Sequence, residues 1–214
     1  MPENAAPFCI DAMTTLISAD PASYRDKFQK TPAFIFDGVF APSLLDTLMA
    51  RAAAGTFVDD DVKNIGTREI EAPQRVGKAI SLLLGQPALP NWLQLATGIE
   101  PLRAVMGRLV QTRANDRDAL QWHDDMGDKK RQIAIVINLS SQAFDGGLFE
   151  MRHVGEQSPI LSFHHHAPGT MMLFAVRPDL EHRVTPIISG GPRRVYTGWF
   201  LNESEHAEDP LFVR

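Results

Sequence analysis

Cysteine is almost absent: Cys9 is the single one in 214 residues. An intramolecular disulfide framework and a thiolate-based zinc site are therefore excluded. Long apolar runs are also missing. The longest in the C-terminal half, Met171 to Val176, is far too short to span a bilayer. The opening Met1-Pro2-Glu3-Asn4 has neither a positive nor an apolar signal region, so no secretory leader is expected. Positive charge is not in excess, with 26 acidic side chains against 21 Lys and Arg and a net charge of −5. Nucleic acid is therefore not an expected partner for the chain as a whole. Internal repeats and low-complexity tracts are absent too. The expectation is a soluble, cytoplasmic protein with no membrane association.

What is present reads as one globular unit. The hydrophobic share is 44% and the charged share 22%, close to globular averages, and the length suits a single domain spanning 1–214. Its first part, to about residue 106, reads as a helix-rich layer. Ser43 to Met49 has helical apolar spacing with Pro42 suited to the first turn. Pro90–Leu95 and Pro101–Met106 read as two further helical pieces separated by Gly98, and Ala33–Phe36 as a short strand. Asp59-Asp60-Asp61 reads as a solvated loop.

From about residue 107 to 201 the texture changes to short apolar runs bounded by turn formers. These are Ile133–Ile137, Leu148–Met151, Ile160–Phe163, Met171–Phe174 and Val195–Phe200, with glycine-marked turns such as Asp145-Gly146-Gly147 between them. Such spacing predicts a β-sandwich or barrel, followed by a tail over 202–214. The fold class expected is mainly β with flanking N-terminal helices.

Seven histidines are available, and setting separates them. In Gln121-Trp122-His123-Asp124-Asp125, an extended chain would project His123 and Asp125 from one face. An imidazole and a carboxylate joined by a second, distant imidazole make the facial triad of non-haem Fe(II) oxygenases. His182, in Glu181-His182-Arg183-Val184, is the candidate third ligand. The rival run His164-His165-His166 reads as a surface or strand-end feature, because consecutive strand residues cannot all face one ion. On the last strand, Arg193, Val195, Thr197 and Trp199 share one face, and Arg194, Tyr196, Gly198 and Phe200 the other. An inward guanidinium there would call for an anionic ligand; strand pattern alone leaves open whether both arginines are exposed instead.

Taken in order, these elements resemble the Fe(II)- and 2-oxoglutarate-dependent dioxygenases, in particular the prolyl 4-hydroxylase-like branch. The resemblance rests on His123-Asp124-Asp125, on Phe144 to Glu150 with its paired glycines, on His182 to Ile187, on Gly191-Pro192-Arg193 and on Thr197 to Phe200. It covers about residues 108–201 well, while Phe36 to Phe40 is similar to the family opening. The resemblance implies a double-stranded β-helix, a jelly roll of cupin-like type. It also implies His123, Asp125 and His182 as iron ligands and catalytic centre, with O2 as co-substrate. Arg193 would grip the distal carboxylate of 2-oxoglutarate, because the family arginine precedes the tryptophan by six residues and Trp199 marks that point. Thr197 and Trp199 would line the cofactor pocket. The reaction implied is hydroxylation of a C–H bond, with a peptide or small molecule as substrate.

One departure is Arg113, which stands where family members often carry a tyrosine. Either another hydroxyl serves the pocket, or Arg113 reaches the cofactor or an acidic substrate, or it is an exposed loop residue. The segment Phe57 to Gln86 is a candidate substrate loop. Two other readings use the same triad: a zinc-dependent hydrolase, and a non-catalytic metal-binding jelly-roll module. Oligomeric state is not readable from the chain.

Overall fold

A computed structural model describes residues 4–62, 65–114 and 119–203. Two antiparallel sheets face each other. The larger has seven strands in the order Ala33–Phe36 (β3), Met171–Ala175 (β12), Arg131–Asn138 (β8), Arg193–Leu201 (β15), Ala104–Thr112 (β6), Gly66–Glu71 (β5) and Phe57–Val62 (β4). The smaller has four, in the order Leu161–His164 (β11), Leu148–His153 (β10), Leu180–Val184 (β13) and Leu120–His123 (β7). Two short antiparallel pairs complete the strands: the hairpin of Phe8–Ile10 (β1) with Thr15–Ile17 (β2), and the long-range pair Phe144–Gly146 (β9) with Ile187–Gly190 (β14). Adjacent strands come from distant parts of the sequence, the pairing pattern of a double-stranded β-helix.

The four helices among the described residues are Ala22–Lys30 (α1), Pro42–Ala53 (α2), Val76–Leu84 (α3) and Ala88–Thr97 (α4). They cover the outer face of the larger sheet. Pro42 opens α2, where its missing N–H costs nothing. Gly98 ends α4 in the left-handed conformation, at φ 77°. Phe28, Leu48, Ile80, Leu84 and Trp92 from the helices meet Ile135, Tyr196 and Phe200 from the sheet in one core. Phe8, Tyr24 and Phe36 gather edge-on around Trp92 and Phe34 lies tilted to it, with centroids 5.0 to 6.3 Å away.

A second apolar cluster lies on the other face of the same sheet. It joins Met106, Ala134, Met172, Phe174 and Trp199 to Phe149, Met151 and Leu180 of the smaller sheet. The central strands β8 and β12 are thus buried on both faces, which explains their unbroken apolar runs. Close approach on β15 needs glycine. A Cβ on Gly107 would meet the Tyr196 ring and come within 2.8 Å of the Thr197 carbonyl. Tyr196 therefore lies fully buried, its hydroxyl 2.9 Å from Ser81 Oγ.

Two sequence expectations are corrected. Pro101–Met106 is not a helix: Ala104 opens β6, whose β-branched and apolar residues find partners along all nine residues of β15. Asp59-Asp60-Asp61 is not a loop either. It lies in β4, where cross-strand pairing with β5 and an Arg68–Asp60 ion pair of 2.9 Å hold the acidic residues in a hairpin. All the described helices precede residue 100, yet β3, β4 and β5 from that same stretch join the larger sheet. Lys63 and Asn64 of the candidate substrate loop, and the expected tail from residue 204 onward, lie outside the described residues.

Candidate active site

His123 ends β7 and His182 lies in the middle of β13, and the two are direct cross-strand partners. That register brings their rings to 4.2 Å between centroids. Trp122, one residue earlier, points the other way, between the guanidinium groups of Arg152 and Arg183. Asp125 joins the histidines by a route the sequence pattern did not anticipate. The strand stops at His123, and Asp125 has φ 58°, the single non-glycine residue with positive φ among those described. That conformation costs on the order of 1–2 kcal/mol for an L-residue, and it turns the carboxylate back over the histidines. Asp125 Oδ1 lies 3.7 Å from His123 Nε2, and Oδ2 lies 3.7 Å from His182 Nε2.

Hydrogen bonding prepares this group for a cation. His123 Nδ1–H donates to the Gln121 carbonyl at 2.6 Å, which leaves the Nε2 lone pair turned toward Asp125. Burial pushes His182 down to about 4, so it is neutral at pH 7 and carries a free lone pair. One donor atom from each residue lies within 4.8 Å of the others. Two neutral imidazoles and one carboxylate on one face fit a divalent iron ion, with the opposite face left open. Trp199 Nε1–H donates to Asp125 Oδ2 at 3.0 Å. Arg131 donates to the Asp125 carbonyl at 3.2 Å and stacks 3.8 Å above the Trp199 ring. The strained aspartate is thus held from two sides.

The triad opens into a cavity of about 360 Å³ between the sheets. Arg193, Val195, Thr197 and Trp199 all line it, as strand alternation predicts. Arg193 is 5% exposed, and its Nε is buried without a hydrogen-bond partner. Among the described residues no carboxylate is paired with it. Burial lowers it to about 10, so it stays charged at pH 7. A buried, unpaired guanidinium is costly unless an anion completes it, and its planar fork matches a carboxylate. The arginine therefore fits the distal end of a keto-diacid. Arg194 faces the other way and donates to Gln111 Oε1 at 2.8 Å.

The structure also sorts the remaining candidates. Arg113 is half-exposed and paired with Glu69 at 2.8 Å, outside the cavity. The residue beside it, Thr112, lines the cavity directly opposite Arg193 in register. The histidine run sits at the end of β11, with His164 and His166 exposed but His165 fully buried. The strand-end reading therefore describes the run, and within it only the flanking histidines are at the surface: Thr170 supplies a buried carbonyl that accepts from His165 Nε2–H. Sequence reasoning missed Arg131, and it missed Asp60, Arg68 and Arg108, which line one wall of the cavity. Arg131 stands six residues after Asp125 as the last of three consecutive cations, Lys129-Lys130-Arg131, so nothing in the local sequence separated it from its neighbours.

A model of the 2OG-Fe(II) oxygenase superfamily matches residues 109–201. Among solved structures, an oxidoreductase of the 2OG-Fe(II) oxygenase family from Burkholderia pseudomallei is similar at 17% identity and TM-score 0.64, covering 87% of this chain and 92% of its own. A Pseudomonas putida prolyl-4-hydroxylase shares 16% identity at TM-score 0.65, with 86% and 100% covered. A Trichoplax adhaerens prolyl hydroxylase, solved with a peptide fragment of the hypoxia inducible factor oxygen degradation domain, shares 14% identity at TM-score 0.66, with 85% and 89% covered. No curated protein sequence matches the chain. No helix among the described residues is long and apolar enough to cross a membrane. The matched segment contains the whole metal-ligand set, and the fold around it is shared with prolyl 4-hydroxylases. Residues 109–201 are thus similar to the 2OG-Fe(II) oxygenase superfamily, and the His123-Asp125-His182 group they contain supports an oxygenase that uses Fe(II), 2-oxoglutarate and O2.

Proposed function

We propose that this protein hydroxylates a C–H bond of a peptidyl or free amino-acid-like substrate, acting as a single catalytic domain. The balance is one substrate C–H, one 2-oxoglutarate and one O2 giving one substrate C–OH, one succinate and one CO2. One observation carries the reading: an unpaired, buried Arg193 shares one cavity with the converging side chains of His123, Asp125 and His182. A zinc hydrolase has no use for such an arginine.

Bound Fe(II) supplies the activation of O2 that couples 2-oxoglutarate decarboxylation to substrate oxidation. His123, Asp125 and His182 hold the ion, and Trp199 and Arg131 keep the Asp125 carboxylate turned toward it. Arg193 binds the distal carboxylate, and Thr197 and Trp199 line the space between the arginine and the triad. Apolar groups from both sheets, Phe149, Phe174 and Val136 among them, exclude water from that space. The hairpin of β4 and β5 forms the substrate wall through Asp60, Val62 and Arg68. The peptide arm of the proposal draws support from the peptide-bound Trichoplax neighbour.

The test is succinate formation by the Fe(II)-loaded protein with 2-oxoglutarate, across a panel of peptides and free amino acids, with N-oxalylglycine as inhibitor. Substrate-stimulated succinate release that N-oxalylglycine abolishes is the expected result. A protein that neither retains iron nor consumes 2-oxoglutarate overturns the proposal.

A further inference from the structure

Two polar atoms near the arginine end of the cavity are buried without a hydrogen-bond partner, Arg193 Nε and His165 Nδ1. Chemically they are complementary. His165 Nε2 lies 2.5 Å from the Thr170 carbonyl, which can only accept, so the ring proton is on Nε2. Nδ1 is therefore a lone-pair acceptor, while Arg193 Nε–H is a donor. Burial is the first reason His165 is held down to about 3, with the Arg193 charge second, so the ring stays neutral and in one tautomer.

The two lie near each other, since the Arg193 charge acts on His165. Leu148 and His164 are the last register pair of β10 and β11, so Gly147 and His165 are the chain neighbours that extend from that pair on the two strands. Arg193 passes that same glycine: a Cβ there would come within 3.2 Å of Arg193 Cδ. The segment after β11 is tied to the neighbouring strand of the arginine. Asn138, the register partner of Val195, donates from Nδ2 to the His166 carbonyl at 2.9 Å and from its backbone to the Thr170 carbonyl at 3.1 Å. Thr170 Oγ1 in turn donates to Asp37 at 2.7 Å. His165 thus sits on a fixed platform, fully buried, at a position where a surface loop would not need an imidazole.

We propose that His165 is a positioning residue for Arg193: its Nδ1 accepts the Arg193 Nε–H when the keto-diacid binds, turning both terminal NH2 groups toward the distal carboxylate. The inference rests on the role given to Arg193 above. It predicts an effect confined to ligands with that carboxylate.

The experiment is calorimetric titration of the Mn(II)-loaded protein with 2-oxoglutarate and with pyruvate, which lacks the distal carboxylate. In His165→Gln, the amide retains a donor toward Thr170 but no acceptor at the Nδ1 position. The expected result is a roughly tenfold or greater loss of 2-oxoglutarate affinity with pyruvate affinity unchanged, and recovery in His165→Asn, whose Oδ1 replaces Nδ1. Unchanged 2-oxoglutarate binding in His165→Gln, equal weakening for both acids, or an Asn variant as weak as the Gln variant overturns the proposal. A readout that needs no variant is the 15N shift of His165 Nδ1 in the Zn(II)-loaded wild-type protein. It should move on addition of 2-oxoglutarate and not of pyruvate, and a static resonance overturns the assignment. Wild-type protein that binds neither Mn(II) nor 2-oxoglutarate overturns the oxygenase reading instead, before any variant is made.

Discussion

Arg193 and Arg194 are consecutive residues of one strand with opposite fates. Arg193 enters the cavity, almost wholly buried and unpaired, while Arg194 lies on the other face of β15, hydrogen-bonded to Gln111 and set over the Phe57 ring. The same division runs along the strand. Val195, Thr197 and Trp199 line the cavity, and Tyr196 and Phe200 fill the core beneath the helices. One face is built for stability and the other gives stability up, keeping a charge out of water that only a ligand can satisfy.

Substitutions along β15 can break that comparison. The largest expected effect is at Arg193: Arg193→Met should weaken 2-oxoglutarate binding by about a hundredfold or more, since one partner of a buried charge pair is removed. Its ligand-free melting temperature should hold or rise, because an unpaired buried charge has been replaced by an apolar chain. Arg194→Met should show the reverse, with near-normal 2-oxoglutarate affinity and a stability loss of about 1 kcal/mol from the missing Gln111 bond. Calorimetry and denaturant melts on the two variants check both halves.

Trp199→Phe comes next. It keeps a ring beneath Arg131 but removes the N–H bond to Asp125, and metal affinity should fall roughly 10- to 100-fold, measured by competition with a chelating dye. On the core face, Tyr196→Phe loses the contact with Ser81, which should cost about 1 kcal/mol in a urea melt and leave metal and 2-oxoglutarate binding unchanged. The smallest effect is on pH dependence. His165 has a folded value of about 3 against an ordinary 6.5, so between those limits the unfolded chain takes up a proton that the folded ring refuses. Its contribution to stability is complete above pH 6.5 and is lost as pH falls toward 3. The fall in melting temperature between pH 7 and pH 5 should be shallower in His165→Gln than in wild type.

Much of the site could be read along the chain because strand alternation is local. Once Val195 to Phe200 is a strand, Arg193, Thr197 and Trp199 must share a face, and they do. The Asp125 geometry was not readable that way. Its approach to the histidines depends on a left-handed residue after the strand ends, a conformation that the Trp199 and Arg131 contacts maintain from elsewhere in the fold. The acidic run at 59–61 was misread for a related reason. Three consecutive aspartates lack strand propensity, and only the partner β5, with Arg68 opposite Asp60, makes a strand of them.

By itself the sequence determined the β-rich character of the second half, the candidate set His123, Asp125 and His182, and which residues of the last strand face together. The strand character and the shared face follow from residue type and a period of two, and the candidate ligand set from the resemblance its motifs carry. Tertiary structure alone decided that His123 and His182 become cross-strand partners, that Arg193 has no acidic neighbour among the described residues, and that His165 is buried while its two flanking histidines are exposed. Those depend on which distant strands come to lie side by side. Pairing is set by burial over the whole core, a sum that no local stretch of chain contains.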